Sequence, residues 1–287
     1  MSAANPLADA EAPVLSVRDA AREHEQDRYL SALLAPPRAR DDLVVIAAYL
    51  GELRRIPLIT RDAAIGEIRL QWWRDTLAQA GAVSGHPVAD AMNALASRRS
   101  LRRELVLAPL EGVSRELYED GIPDAREFDL YAEETEGAAI RLALSVLGEG
   151  GAQNSERAVD SAGRALALTR LALTLPQHVA HGRLPLPETV LNGVRDPRGA
   201  PQNEAREAMG TLSVRLADEA QASLKQFRDV RGRVSAAAMA AYLPLSLIEP
   251  YLQALRRPKR DALLEVADIS PLSRVTRLWF AHWRGRV

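Results

Sequence analysis

No stretch of this chain alternates apolar and polar residues in the two-residue period of a half-buried strand. Its apolar residues recur instead at three- and four-residue spacing, which lines one side of a helix. Runs of β-branched residues are scarce, and Ala, Leu, Arg and Glu dominate, all good helix formers. With 287 residues, 47% of them hydrophobic, the chain can bury a full core as one domain. The pattern predicts an all-α bundle of roughly ten helices over residues 17–287, preceded by a short disordered tail at 1–16. Expected helices run from about Val17 to Leu34 and from the Pro36-Pro37 pair to Pro57. A third starts at Thr60 as N-cap and reaches about Ala80, before Gly81. On it, Ile65, Ile68 and Trp72 form one apolar stripe and Leu70, Trp73 and Leu77 an adjacent one. Others are expected at about 87–97, 102–120, 124–147, 155–179, 202–229, 234–256 and 271–284. Gly148 to Gly151 marks a break, and the proline-rich segment Arg183 to Arg198 a loop around a short helix.

Composition removes several function classes. Cysteine is absent, so there are no disulfides, thiolate nucleophiles or zinc-thiolate sites, which suits a reducing, cytoplasmic setting. The net charge of −1 gives no global field to recruit nucleic acid, and no nucleic-acid partner is expected. No segment has the ~18 uninterrupted apolar residues of a membrane span. No GxSxG, Walker A, GxGxxG or HExxH string occurs. His178 and His181 lie three apart without a spaced third ligand, so capping or loop histidines are expected and no metal site.

The segment Ser161 to Pro187 resembles the squalene/phytoene synthases, which join two prenyl diphosphates head to head. That family carries a helix of the form G-x-A-x-Q-x-T-N-x-x-R-D-x-x-E-D and then a loop G-R-x-Y-x-P. Here Gly163, Ala165, Leu168 and Thr169 fit the helix, and Gly182, Arg183, Leu186 and Pro187 fit the loop. Arg28-Tyr29-Leu30, Tyr131 to Gly137 and Ile269 to Leu272 extend the resemblance over roughly residues 25–285. It implies a single-domain isoprenoid-synthase-like helical bundle with a central cavity.

Departures from the pattern carry the functional reading. The family's D-x-x-E-D carboxylates, stacked on one helix face, hold Mg²⁺ against a substrate diphosphate. At those positions stand Thr174, Gln177 and His178. The second acidic motif, D-D-x-x-D, aligns with Arg54, Arg55 and Leu58, interrupted by Pro57. Neutral oxygens, an imidazole and two guanidiniums are poor magnesium ligands, so a non-catalytic protein without a cofactor is expected. Mg²⁺ belongs only to the alternative, a head-to-head prenyl transferase.

Glu52-Leu-Arg-Arg-Ile56 followed by Gly66-Glu-Ile-Arg-Leu-Gln-Trp-Trp-Arg74 is similar to a subgroup of that family lacking the aspartate-rich motifs, which includes a mitochondrial complex I assembly factor. The resemblance implies a role in complex I assembly, with complex I subunits or assembly proteins as partners. Arg69, Trp72, Trp73 and Arg74 form either a partner surface or, for the indoles, core anchors beside paired arginines. Arg54 and Arg55 either grip an anionic lipid or isoprenoid diphosphate, or form surface ion pairs, for instance with Glu52. A remnant pocket is expected from Arg54, Arg55, Tyr131, Thr174, Gln177, His178 and Arg183. Glu133, Glu134 and Glu136 either line the same cavity, which would favour the enzyme alternative, or are surface carboxylates, the reading expected here. Two basic clusters stand at Arg98–Arg103 and Arg256–Arg260; the Arg- and Trp-rich C-terminus, Arg277 to Arg284 with Arg286 beyond, suits either peripheral attachment at the inner face of the cytoplasmic membrane or a docked terminal helix with solvated arginines.

Overall fold

Prolines and short polar side chains set where the helices begin. The computed structural model describes residues 15–79, 83–119, 122–149, 156–231 and 234–287. Residues 1–14 of the expected tail, the helix end at Ala80-Gly81 and the second half of the glycine break, Gly150-Gly151, lie outside them. Ser16 caps α1 (Val17–His24) through the Asp19 N–H. Pro37 opens α3 (Pro37–Ile59) and Pro87 opens α5 (Pro87–Arg98). The remaining helices are α2 (Gln26–Leu33), α4 (Ala63–Ala78), α6 (Arg103–Arg115), α7 (Ala125–Ala132), α8 (Ala138–Leu147), α9 (Glu156–Ala180), α10 (Glu188–Leu191), α11 (Gln202–Val230), α12 (Met239–Tyr242), α13 (Ile248–Leu255) and α14 (Pro271–Arg284). Among the described residues there is no strand.

Four expectations need correction. The first predicted helix is two, α1 and α2, because Glu25 leaves helical geometry (φ −145°, ψ 53°) to turn its carboxylate inward. Thr60 ends α3, its N–H bonded to the Ile56 carbonyl, and Asp62 caps α4 instead. The helix expected at 234–256 is broken into α12, a 3-10 turn at Leu243–Leu247 containing Pro244, and α13. On α4, Leu70 and Trp73 are fully buried, whereas Ile65 and Ile68 point to solvent.

The bundle is organised on α3, α8 and α9. Helix α11 lies along α9, and α3 packs against α1, α2, α5, α6 and α8. Helices α7 and α8 join through a π-turn at Glu133–Gly137, whose extra residue carries the Glu136 side chain into the interior. There the backbones nearly touch: a Cβ on Gly163 would sit 2.9 Å from the Gly137 nitrogen. A second apolar cluster, including Met239, Leu243, Tyr251, Leu278 and Ala281, seats α14 on the body. No helix among the described residues is long and apolar enough to cross a membrane.

Candidate functional site

A cleft of about 610 Å³ opens between the α1–α2 joint, α3, the π-turn, α9 and α13. Its floor is a network of buried ion pairs. Arg54, from α3, bonds Glu25 and Glu136 at 2.6 Å each. Arg28 reaches the same two carboxylates, at 2.6 Å and 2.5 Å. Arg170, from α9, contacts Glu136 at 3.3 Å and Glu116 at 2.6 Å. Below it the Tyr131 hydroxyl donates to Glu116 at 2.9 Å and accepts from Arg170. His178 Nε2 lies 3.2 Å from the other Glu116 oxygen, with both side chains fully buried.

Three arginines therefore face three glutamates. Burial alone would raise the Glu136 pKa, but Arg28, Arg54 and Arg170 outweigh it and hold it down to about 2. Glu116 is likewise desolvated yet held well below the usual carboxylate range, by Arg170 and then His178. The Tyr131 hydroxyl is pushed far up by burial, which keeps it neutral and able to donate. The charges in this floor are satisfied within the protein.

The structure gathers only part of the expected pocket. Arg54 and Gln177 line the cleft, and Tyr131 and His178 lie beneath it in the Glu116 network. Thr174 bonds back to the Arg170 carbonyl. Arg55 points outward and pairs with Glu52 at 3.4 Å. Arg183 lies apart, donating to the carbonyls of Pro57 (2.8 Å), Thr60 (2.6 Å) and Arg61 (2.7 Å), where it closes the C-terminal end of α3. Arg54 is thus no surface ion pair, Glu136 no surface carboxylate and His178 no loop residue. Packing from distant helices decides each: Arg54 and Glu136 line the cleft, and His178 sits beneath it on Glu116 rather than in a cap or loop.

On α4, Trp72 and Trp73 pack edge-on against each other, with Tyr49 and His86 around them, and offer a partner no surface. Arg74 pairs with Glu111 and Glu67, and Arg69 is half-buried.

Glu25, Arg28, Glu116 and Arg170 did not enter the expected pocket. A signal existed for two of them: Arg28 opens the N-terminal motif, and Arg170 occupies the Asn position of the G-x-A-x-Q-x-T-N pattern. Nothing local marks Glu25 or Glu116. Among the described residues no three His, Cys, Asp or Glu side chains group as a metal site. Each glutamate of the network is engaged by arginine, a donor set that does not fit Mg²⁺.

Residues 21–278 match the sequence model of the squalene/phytoene synthase family. The chain is 25% identical over 273 residues to the rat protein named NADH dehydrogenase (ubiquinone) complex I, assembly factor 6, covering 92% of this chain and 80% of that one. The human counterpart is 22% identical, with the same coverage. In fold it is similar to a dehydrosqualene synthase solved with ligand (TM-score 0.74, 16% identity, 93% of this chain and 94% of that one). It is also similar to the squalene synthase HpnC of Alicyclobacillus acidocaldarius (TM-score 0.64, 20% identity, 84% of this chain and 92% of that one). At such identities the structural likeness speaks for the fold alone.

Proposed function

The chain belongs to the squalene/phytoene synthase family, and we propose that within it this protein is a non-catalytic binding protein that assists assembly or maintenance of respiratory complex I. One observation carries the reading: the cleft's arginines are neutralised by the protein's own glutamates. Ionising a prenyl diphosphate requires metal ions, held by free carboxylates, to neutralise the leaving group. Here Arg54 stands in one of those motifs, and Thr174, Gln177 and His178 in the other. The similarity to proteins named as complex I assembly factors over most of their length supports the role. The partners are then subunits or assembly proteins of that complex, met by a protein attached peripherally to the inner face of the cytoplasmic membrane. Deleting the gene is expected to lower NADH:quinone oxidoreductase activity and the amount of assembled complex. Normal complex in the deletion strain rejects the reading.

A second reading, a prenyl transferase with an unusual ligand set, draws on the buried carboxylates of Glu116 and Glu136 and the partly buried one of Glu25 within the cleft network. Incubation with farnesyl or geranylgeranyl diphosphate and Mg²⁺ separates the two. Metal-dependent diphosphate release establishes the enzyme, and its absence at high protein concentration supports the binding protein.

A further inference from the structure

Helix α14 has two apolar faces, only one of which the fold uses. Arg274, Leu278 and Ala281, at i, i+4 and i+7, face inward. Arg274 fixes the register through Asp27 (2.6 Å), Asp268 (2.7 Å) and the Tyr251 hydroxyl (2.9 Å). The opposite ridge carries Leu272, Val275, Trp279 and Trp283 at i, i+3, i+7 and i+11. Leu272 is 74% exposed, Trp279 55% and Trp283 68%. The chain has four tryptophans; Trp72 and Trp73 are core, so both exposed indoles lie on this ridge, stacked 6.2 Å apart.

The charge beside the ridge is as uneven as its polarity. A groove of about 1200 Å³ along α14 is lined by Arg228, Arg277, Arg284 and Arg286 against one acidic side chain, Glu249. That carboxylate is already bonded to Arg228 at 2.7 Å. Among the described residues no acid lies within ion-pair distance of Arg277, Arg284 or Arg286; Arg284 lies over the Phe280 ring, 3.9 Å away. Arg231 crowds the same corner: burial, then Arg286 and Arg228, disfavour its charge. Elsewhere Arg98 and Arg99 are held by Asp42, and Arg256 by Asp218. In a chain of net charge −1 this local excess does not follow from composition.

We propose that the outward ridge of α14 docks the protein on an anionic glycerophospholipid bilayer. A helix of 14 residues presents a straight edge of about 20 Å. Laid on a bilayer, its indoles enter the boundary of headgroups and acyl chains while the flanking guanidiniums meet lipid phosphates. Charge complementarity selects the anionic surface, and the exposed apolar ridge supplies the burial that charge alone lacks. This deepens the peripheral attachment proposed above.

The test uses the full-length protein in flotation with phosphatidylcholine vesicles, with and without one third phosphatidylglycerol. Binding is expected only to the phosphatidylglycerol vesicles, weakening as salt is raised. The double variant Trp279→Ser, Trp283→Ser should no longer float. Arg277→Gln and Arg284→Gln should each weaken binding roughly fivefold. Arg102→Gln with Arg103→Gln, exposed cations elsewhere, should change it little. All replaced side chains are exposed, and an unchanged melting temperature certifies the fold. Tryptophan emission should shift to the blue on vesicles in the wild type and stay fixed in the Trp279→Ser, Trp283→Ser variant. Equal binding to both vesicle types, or binding indifferent to the α14 variants, overturns the proposal. So do α14 variants that float normally yet lose a protein complex, which make the ridge a protein interface. A protein that supports complex I but never floats rejects the docking surface and leaves the assembly role standing.

Discussion

Glu136 is the residue on which the buried network turns, since it bonds Arg28 and Arg54 and lies 3.3 Å from Arg170. Removing one partner of a buried ion pair strands the others without solvent, which costs about 3–5 kcal/mol. Glu136→Gln is therefore expected to lower stability by about that amount in denaturant unfolding, with Glu133→Gln, exposed on the same turn, as a near-neutral control. The pH dependence follows from the sign of the shift. A carboxylate held at about 2 when folded, against 4.5 for the ordinary group, binds its proton more weakly in the native state. Its contribution is present above pH 4.5 and is lost as pH falls toward 2. The wild type should lose stability through that window more steeply than Glu136→Gln. Parallel acid profiles for the two proteins count against the network. At this scale the sequence was legible only where a motif reported on itself. Arg54 stood out because it replaces an expected aspartate, whereas Glu25 and Glu116 meet their partners only through tertiary contacts.

At the scale of elements, two contacts decide how the cleft walls are held. Pro57 lies in the last turn of α3, and Arg183, 126 residues away in sequence, supplies hydrogen bonds to three of the carbonyls there. Charged hydrogen bonds of this kind contribute about 1.5–3 kcal/mol each. Arg183→Met should destabilise the protein by several kcal/mol, read as a shift in the denaturant midpoint. Arg183→Lys should recover only part, since an ammonium cannot span the fork of carbonyls that a guanidinium does. The second contact is the crossing of α9 on the π-turn, where only hydrogen fits at Gly163. Gly163→Ala must push the turn away and is expected to cost about 1–3 kcal/mol, with loss of the Arg170–Glu136 pairing as the local sign. Helix periodicity made most of these elements readable, because burial of one face imposes it over many residues. The interruptions were not readable, since Glu25 leaves the helix for a partner on α3 and Pro244 takes a 3-10 turn that its context allows. The α4 stripe through Ile65 and Ile68 failed for a related reason: apolar spacing marks a face without saying whether a neighbour covers it.

For the whole molecule, the neutral cleft and the cationic α14 ridge divide the charge between them. A chain with net charge −1 matches three cleft arginines to three glutamates in one place and leaves arginines unmatched in another. Family resemblance located the cleft, but its electrostatic character depends on the inward turn of Glu25, which no motif records. The α1–α2 joint therefore acts as an internal counterion, occupying Arg54 and Arg28 where a phosphate would otherwise compete. Glu25→Gln keeps the oxygen acceptor and removes one negative charge, leaving the cleft with an unmatched cation. Wild-type protein titrated with inorganic pyrophosphate in the absence of divalent metal should give no measurable heat. Glu25→Gln should bind at least about tenfold more tightly, since a freed guanidinium takes phosphate oxygens in paired hydrogen bonds. The same gain should vanish in Glu25→Gln, Arg54→Gln, where the cation is removed with its partner. Tight metal-free binding by the wild type would mean that the glutamates yield to a ligand, and the cleft would then be an anion site rather than a sealed one.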